Sequence, residues 1–392
     1  NLMDLESLKP FATIRQRQII DAVIKYGSQS KAAKALDVNQ RTLERSLQTV
    51  KRAAAKRGWS PQHDYVHSVP DTHVVKGVST FYDEDGKPIR QWVKSDLKKD
   101  SQEAALQAFA EGLIQELPKY KPLGIKPAKK QLDRLVAYVI GDAHIGMSTT
   151  SAENRNEGDW NLETAERVTL GAIRSLITAS GGGDVGLLLN LGDMIHADGS
   201  TGTTTAGTQL STDGTYADSI AAAVRVLRNA IDMMLATHNS VVLINNTGNH
   251  DHNTAIAINT MLIMFYENEP RVTVKRNEHK LTHYVYGQNL LCTHHGDKIQ
   301  IQRAYEYITR TMPDVWGATK HRHLLLGHLH TSITKELGGL LVEHFQALPA
   351  SDKWHSNEMY GSKRTMSAIV YDKFHGEIQR HKVGIDQLEA AA

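Results

Sequence analysis

The chain has 392 residues, of which 40% are hydrophobic and 22% charged, which excludes a wholly disordered polymer and leaves room for two or three domains. No apolar run nears the ~20 residues of a membrane helix, and a single cysteine, Cys292, excludes an internal disulfide and any cysteine-based zinc site. The net charge of +2 is unevenly spread: residues 1–60 hold 12 Lys/Arg against 5 Asp/Glu, the remainder 33 against 38, so a basic head that suits a polyanion precedes a mildly acidic body.

Residues 1–16 show neither the apolar core nor the cleavage site of a secretory signal, and with the lone thiol this fits a reducing cytoplasm. Residues 1–60 read as three helices. Ile14, Ile19, Ile20, Val23 and Ile24 keep an apolar stripe at helical spacing, and Gly27 ends it. Ser28 or Ser30 caps a second helix that carries Ala32, Ala33, Ala35 and Leu36. Asp37-Val38-Asn39 breaks the chain before a longer helix with Leu43, Leu47 and Val50 as its buried stripe, ending near Gly58. Small alanines before a tight turn let two helices cross closely. The run Ser28-Gln-Ser-Lys-Ala-Ala-Lys-Ala-Leu-Asp-Val resembles the DNA-binding helix-turn-helix modules of transposases and phage regulators. That resemblance implies DNA as a partner, the third helix as the reader, and Gln40, Arg41 and Arg45 as nucleic-acid contacts. A helical docking module with a solvated basic face is the alternative.

Residues 73–94 predict a hairpin around Asp83-Glu-Asp-Gly. Trp92 and Tyr82 either stack on bases or, the preferred reading, pack the small sheet. An amphipathic helix is expected near 101–117, then a proline- and lysine-rich linker from Pro118. The expected division is 1–60, 61–131 and 132–392.

From Leu132 the texture changes. Short apolar runs at 135–140, 185–190, 241–245, 290–293 and 324–326 alternate with helical stretches at 161–179, 217–237 and 254–268, an α/β layered pattern without internal repeats. Each apolar run ends in a polar cluster: Gly141-Asp142-Ala143-His144, Gly192-Asp193-Met194-Ile195-His196, Gly248-Asn249-His250-Asp251, His294-His295-Gly296-Asp297 and Gly327-His328-Leu329-His330. The chain has 20 histidines, and 17 lie at or beyond His144. The carboxyl ends of strands are where α/β folds gather ligands. Carboxylates, an amide and imidazoles suit manganese, iron, zinc or magnesium.

The five clusters, in this order, resemble those of the calcineurin-like metallophosphoesterases. The resemblance implies a layered αββα sandwich and two divalent ions, manganese by preference. Asp142, His144 and His330 would hold one ion, Asn249, His295 and His328 the other, and Asp193 would bridge them. The histidine before the glycine, His295, is preferred over His294. P–O bonds would be hydrolysed by a hydroxide shared between the ions. His250 would stabilise the transition state or protonate the leaving group, with Asp251 orienting its ring.

Asp142-Ala-His144-Ile-Gly and Gly192-Asp193-Met-Ile-His196 are similar to the SbcD-like repair nucleases. This implies a DNA nuclease in which His196 helps position the nucleotide, and the basic head on such a body resembles phage- and prophage-encoded proteins of the bacterial cytoplasm. The alternatives are a phosphatase or phosphodiesterase for a nucleotide or other small phosphoester, and a DNA-binding regulator with a scaffolding metal domain. A homo-oligomer stays open, as do polarity and strand preference. The hydroxyl-rich segment 197–215 is expected to rim the site, as phosphate binder or passive loop. Asp198 and His252 either support the site or are solvated. Lys353 and Trp354 either hold substrate or pack at the surface. His321 and His323 read as surface residues, and Cys292 as core.

Overall fold

The computed structural model describes residues 5–56, 59–60, 65–66, 69–70, 73–82, 88–97, 133–154, 156–276, 279–352 and 361–389. The chain forms two compact units, Asn1–Ala105 and Leu106–Ala392. The expected helix at 101–117, the linker after it, and Lys353 and Trp354 lie outside the described residues.

In the first unit, helices α1 (Ile14–Tyr26), α2 (Gln29–Ala35) and α3 (Gln40–Lys56) share one core, in which Ile20, Val23, Ala32, Ala33, Leu43 and Leu47 are buried. Local chemistry sets each boundary. Thr13 caps α1 reciprocally with Gln16: its backbone N–H donates to Gln16 Oε1 at 2.9 Å, and the Gln16 N–H donates back to Thr13 Oγ1. Gly27 closes α1 at φ 67°, and Ser28 Oγ accepts from the Lys31 N–H to open α2. Asp37 turns the chain at φ 51°, and Asn39 Oδ1 accepts from the Arg41 N–H at the start of α3. Ile14 departs from the expected stripe and is 79% exposed. Nine residues, two and a half turns, set it on the opposite side from Val23.

Two-residue strands β1 (Trp59–Ser60) and β2 (Tyr65–Val66) pair, and β3 (His73–Tyr82) and β4 (Pro88–Leu97) form the expected antiparallel hairpin. Trp92 does not pack this sheet as expected; it is 59% exposed. A two-stranded ribbon has only one covered face, and Trp92 lies on the other. The Tyr82 side chain lies outside the described residues.

The second unit is a four-layer αββα sandwich. Its elements run β5 (Arg134–Ile140), α4 (Leu162–Ser180), β6 (Gly183–Asn190), α5 (Tyr216–Leu235), β7 (His238–Asn245), α6 (His252–Phe265), β8 (Val272–Val274), β9 (Thr282–Tyr286), β10 (Asn289–His294), α7 (Ile301–Thr311), α8 (Pro313–Ala318), β11 (His321–Leu326), β12 (Ile333–Leu337), β13 (Leu340–His344), β14 (Thr365–Asp372), β15 (Gly376–Gly384) and α9 (Ile385–Glu389). One sheet has the order β15-β14-β5-β6-β7-β8, the other β12-β13-β11-β10-β9. Strands β5 to β8 run parallel, as do β10, β11 and β13.

The period-2 alternation of a strand explains the layers. In β5, Val136, Tyr138 and Ile140 face α4, α5 and α6, whereas Leu135, Ala137 and Val139 face the second sheet, where Leu291, Leu325 and Phe345 meet them. The outer face of that sheet carries Leu290, Cys292, Leu324 and Leu326 beneath α7 and α8, as expected for Cys292. Both faces of the central strands are covered, so their sequences read as continuous apolar runs. In the first sheet Ile140, Asn190 and Asn245 are direct partners, as are His294, Leu326 and His344 in the second. The loops that follow therefore leave each sheet at one level. Among the described residues no helix is long and apolar enough to cross a membrane.

Candidate metal centre

Five loops leave the carboxyl ends of β5, β6, β7, β10 and β11, and the clusters read from the sequence occupy them. One ligand atom each from Asp142, His144 and His330 lie within 4.8 Å of one another, and the same holds for Asp193, His295 and His328. His330 Nε2 stands 2.7 Å from Asp142 Oδ2 and 3.3 Å from His144 Nε2. His295 Nε2 stands 3.1 Å from Asp193 Oδ2 and 3.0 Å from Asn249 Oδ1. Asp142 Oδ1, 3.9 Å from His295 Nδ1, links the two sets. All seven expected ligands are thus brought together, and Asp142, His144, Asp193 and His295 are buried. His294 turns away, its Nδ1 accepting the Gly296 N–H at 2.9 Å.

The donor set fits divalent cations. Two imidazole Nε2 atoms converge on a carboxylate in one set, and an amide oxygen, two imidazoles and a carboxylate converge in the other, which are hard-to-borderline donors. The His295 tautomer agrees. His295 Nδ1 is 3.0 Å from the Leu191 carbonyl, which only accepts, so Nδ1 carries hydrogen and Nε2 is the atom that could face a cation. His144 turns Nδ1 to His196 Nδ1 at 3.2 Å and Nε2 to His330 Nε2 at 3.3 Å.

The backbone is shaped for this purpose. His144, Asp193, His328 and His330 have φ of 43°, 52°, 70° and 52°, in the left-handed region that L-residues avoid. Such conformations cost about 1–3 kcal/mol each and persist where surrounding bonds dictate them. The His328 N–H donates to Asp142 Oδ2 at 2.9 Å, and the His250 N–H donates to Asp193 Oδ1 at 2.8 Å. Gly248 and Gly327 are required for a different reason: a Cβ at Gly248 would overlap the Asp193 carboxylate, and one at Gly327 would overlap Asp142 Oδ1.

Electrostatics follow from the crowding. Burial would raise the Asp142 carboxyl, but the charges of His330 and His295 hold it below the usual carboxylate range. Asp193 is likewise held low, His295 outweighing burial. For His295, burial opposes the charge, but Asp193 and Asp142 raise it to about 10. The proton held there is the one a bound cation displaces.

Two expected roles are corrected. Asp251 does not orient the His250 ring; its carboxylate accepts the N–H groups of Gly248 at 2.9 Å, Ile195 at 3.2 Å and Asp193 at 3.3 Å. Burial and the neighbouring Asp193 charge push this carboxyl up to about 8 against the pull of its backbone donors, and its oxygens are committed to those donors rather than to the His250 ring. The His250 ring is oriented instead by Nδ1 against the His196 carbonyl at 2.8 Å. His196 is 2% exposed and stacks on His250 with centroids 5.2 Å apart, so it braces His144 and His250 rather than meeting a nucleotide. His323 is also corrected: it is buried, edge-on to Tyr371 of the first sheet, which covers it, whereas His321 is half-exposed.

Asp198 and the hydroxyl-rich segment, left open between two readings by the sequence, both support the site, and His344 escaped the sequence reading. Asp198 gathers the start of α6, its Oδ1 accepting the Thr254 N–H at 2.9 Å and its Oδ2 the Asn253 N–H at 3.1 Å. The Thr205 N–H donates to the Asn249 carbonyl at 3.2 Å, so the hydroxyl-rich loop is tied to the turn that bears Asn249. His344, at the end of β13, places Nδ1 3.2 Å from the Gly327 carbonyl and steadies the turn before His328. Its signal was present: the run Leu340-Leu-Val-Glu-His344 is another apolar stretch with a polar end.

No family model and no curated protein sequence matches the chain. Among solved structures it is similar to a conserved uncharacterised protein, a predicted phosphoesterase, from Streptococcus pneumoniae TIGR4, at 12% identity over 64% of this chain and 98% of that one, with a TM-score of 0.27. A novel archaeal phosphodiesterase is similar at 9% identity over 64% of this chain and 99% of its own, with a TM-score of 0.33. A phosphoesterase from E. coli is similar at 10% identity over 63% and 98%, with a TM-score of 0.29. Likeness at this level carries no argument about activity.

Proposed function

We propose that the second unit is a divalent-metal-dependent phosphoesterase and that its substrate is DNA. One observation carries the reading: seven ligating side chains from five separate strand ends converge into two adjoining sets. Asp142, His144 and His330 would hold one ion, and Asn249, His295 and His328 the other, with Asp193 between them. Bound divalent ions supply Lewis acidity, neutralising a phosphoester and promoting ionisation of the attacking water.

The chain's own residues do the rest. The His196 carbonyl fixes the hydrogen of His250 on Nδ1, so its Nε2 is the atom that carries a proton to the leaving oxygen. Asp251 holds the turns bearing Asp193 and Asn249 at fixed separation by binding backbone N–H groups from both. His196 holds the His144 ring through Nδ1, with the His144 Nε2 turned to His330.

The substrate class rests on the first unit. Gln40, Arg41 and Arg45 are exposed on α3, beside a shallow groove that Gln48 and Arg52 also line. Free cations along one helix suit phosphates. The test is hydrolysis of labelled linear, circular and single-stranded DNA with manganese, beside a chromogenic phosphodiester. DNA cleavage that disappears in His250→Ala while bound metal persists is the expected result. Hydrolysis of the small ester with every DNA form intact would remove the nuclease reading in favour of a small-phosphoester enzyme.

A further inference from the structure

The β3–β4 ribbon has two unlike faces. Val75, Val78 and Thr80 on one strand, and Gln91, Val93 and Ser95 on the other, are half-buried. The opposite face is open: Phe81 is 64% and Trp92 59% exposed, and Arg90 and Lys94 are exposed with them. Register makes this one surface. Phe81 lies directly opposite Arg90, Ser79 opposite Trp92 and Gly77 opposite Lys94, and opposed residues of an antiparallel pair share a face. Phe81 and Trp92 are therefore diagonal neighbours, close enough for both rings to serve one ligand. No carboxylate engages Arg90 or Lys94 among the described residues.

The chemistry selects the occupant. Phe81, Trp92 and Arg90 are residue types that protein interfaces also favour, but lysine is depleted there, and Lys94 sets this face apart. Aromatic rings alternating with cations match a strand of nucleotides, whose bases stack on the rings while phosphates meet the cations. Stacking needs exposed base faces, which a duplex hides. We infer that this face of the ribbon binds unpaired nucleotides, with bases on Phe81 and Trp92 and phosphates on Arg90 and Lys94. The segment joining the strands carries Asp83, Glu84 and Asp85, so net charge adds little and stacking carries the affinity. Dependence on salt should accordingly be shallower than for duplex binding by α3. The inference deepens the DNA reading above but is tested without any hydrolysis.

The experiment uses the full chain in chelator and reads fluorescence anisotropy with labelled oligothymidylate, oligouridylate and a blunt DNA duplex. Trp92→Ala and Phe81→Ala should each weaken oligothymidylate binding about tenfold, given about 1–3 kcal/mol for one stacked base. Trp92→Phe should restore most of it, and duplex binding should stay unchanged in all three. Equal losses on oligouridylate would identify base faces rather than the sugar as what is read, and are expected. Undetectable oligothymidylate binding by the unaltered chain, or unchanged binding by the doubly substituted one, would overturn the inference. So would an equal loss on duplex, or a double substitution that changes only sedimentation, which would make the face a protein contact. Tryptophan-dependent binding of single strands in a chain that cleaves no DNA would keep this inference and remove the nuclease proposal; cleavage with substitution-insensitive binding would do the reverse.

Discussion

At the scale of single residues, the metal centre is a problem of fit before it is one of charge. Gly248 has no side chain because the Asp193 carboxylate occupies that space. Gly248→Ala should therefore weaken manganese binding at least tenfold and destabilise the fold by about 1–3 kcal/mol, as overpacking does. Isothermal calorimetry and thermal melting check the two effects. His196 acts through its neighbour, since it is buried against His144 and His250. Partners of metal-ligating histidines are worth about 10–100-fold in affinity, so His196→Ala should lose metal affinity in that range. A His196→Ala chain with unchanged affinity and lost DNA binding would restore the nucleotide-positioning role expected from the sequence. The seven candidate ligands were legible because all lie in the five polar clusters that open where apolar runs stop, in an order that resembles a known motif series. The sequence misassigned Asp251 and His196 because partner choice among close polar groups is set by left-handed turns at Asp193 and His144, which leave no mark on residue type.

At the scale of elements, caps and buried histidines give the clearest expectations. Thr13→Ala removes one half of the reciprocal cap on α1 and should cost ~1 kcal/mol of first-unit stability in urea titrations. His238 opens β7, buried, with Nδ1 3.0 Å from the Met234 carbonyl and Nε2 3.3 Å from the Tyr138 hydroxyl. Burial pushes its imidazole down to about 4, and His323 is pushed down to about 4 in the same way. An unfolded histidine titrates near 6.5. Between about 6.5 and 4 the unfolded chain therefore binds protons that the folded chain refuses, so stability present above 6.5 is lost as pH falls through that window. His238→Gln should flatten the loss, which denaturation at a series of pH values would reveal; an unchanged slope would mean that His238 is not the group responsible. The central strands and helices were legible because both faces of β5, β6 and β7 are covered and α4 and α5 carry long amphipathic stripes. Strands β12 and β15 were not, because Ile333–Leu337 is an exposed edge and β15 mixes charges into an edge strand. β8 is only three residues long, too short for periodicity to register.

At the scale of the whole molecule, two units with different chemistry share one chain: a basic three-helix bundle with a ribbon, and a layered sandwich that gathers ligands at one edge of both sheets. Cations that bind only the folded sandwich stabilise it by mass action, about 2.7 kcal/mol at a hundredfold excess over the dissociation constant. Manganese should thus raise the melting transition of the second unit and leave that of the first unmoved. Chelator should reverse the shift, and scanning calorimetry separates the transitions. A shift in both would mean that metal holds more of the chain than this site.

The claim beneath the functional reading is that the five strand-end loops hold two cations beside one another. Anomalous scattering from crystals grown with manganese tests it most directly. Two peaks per chain are expected, one between Asp142, His144 and His330, the other between Asn249, His295 and His328, with Asp193 touching both. A single peak, or peaks away from Asp193, would contradict it.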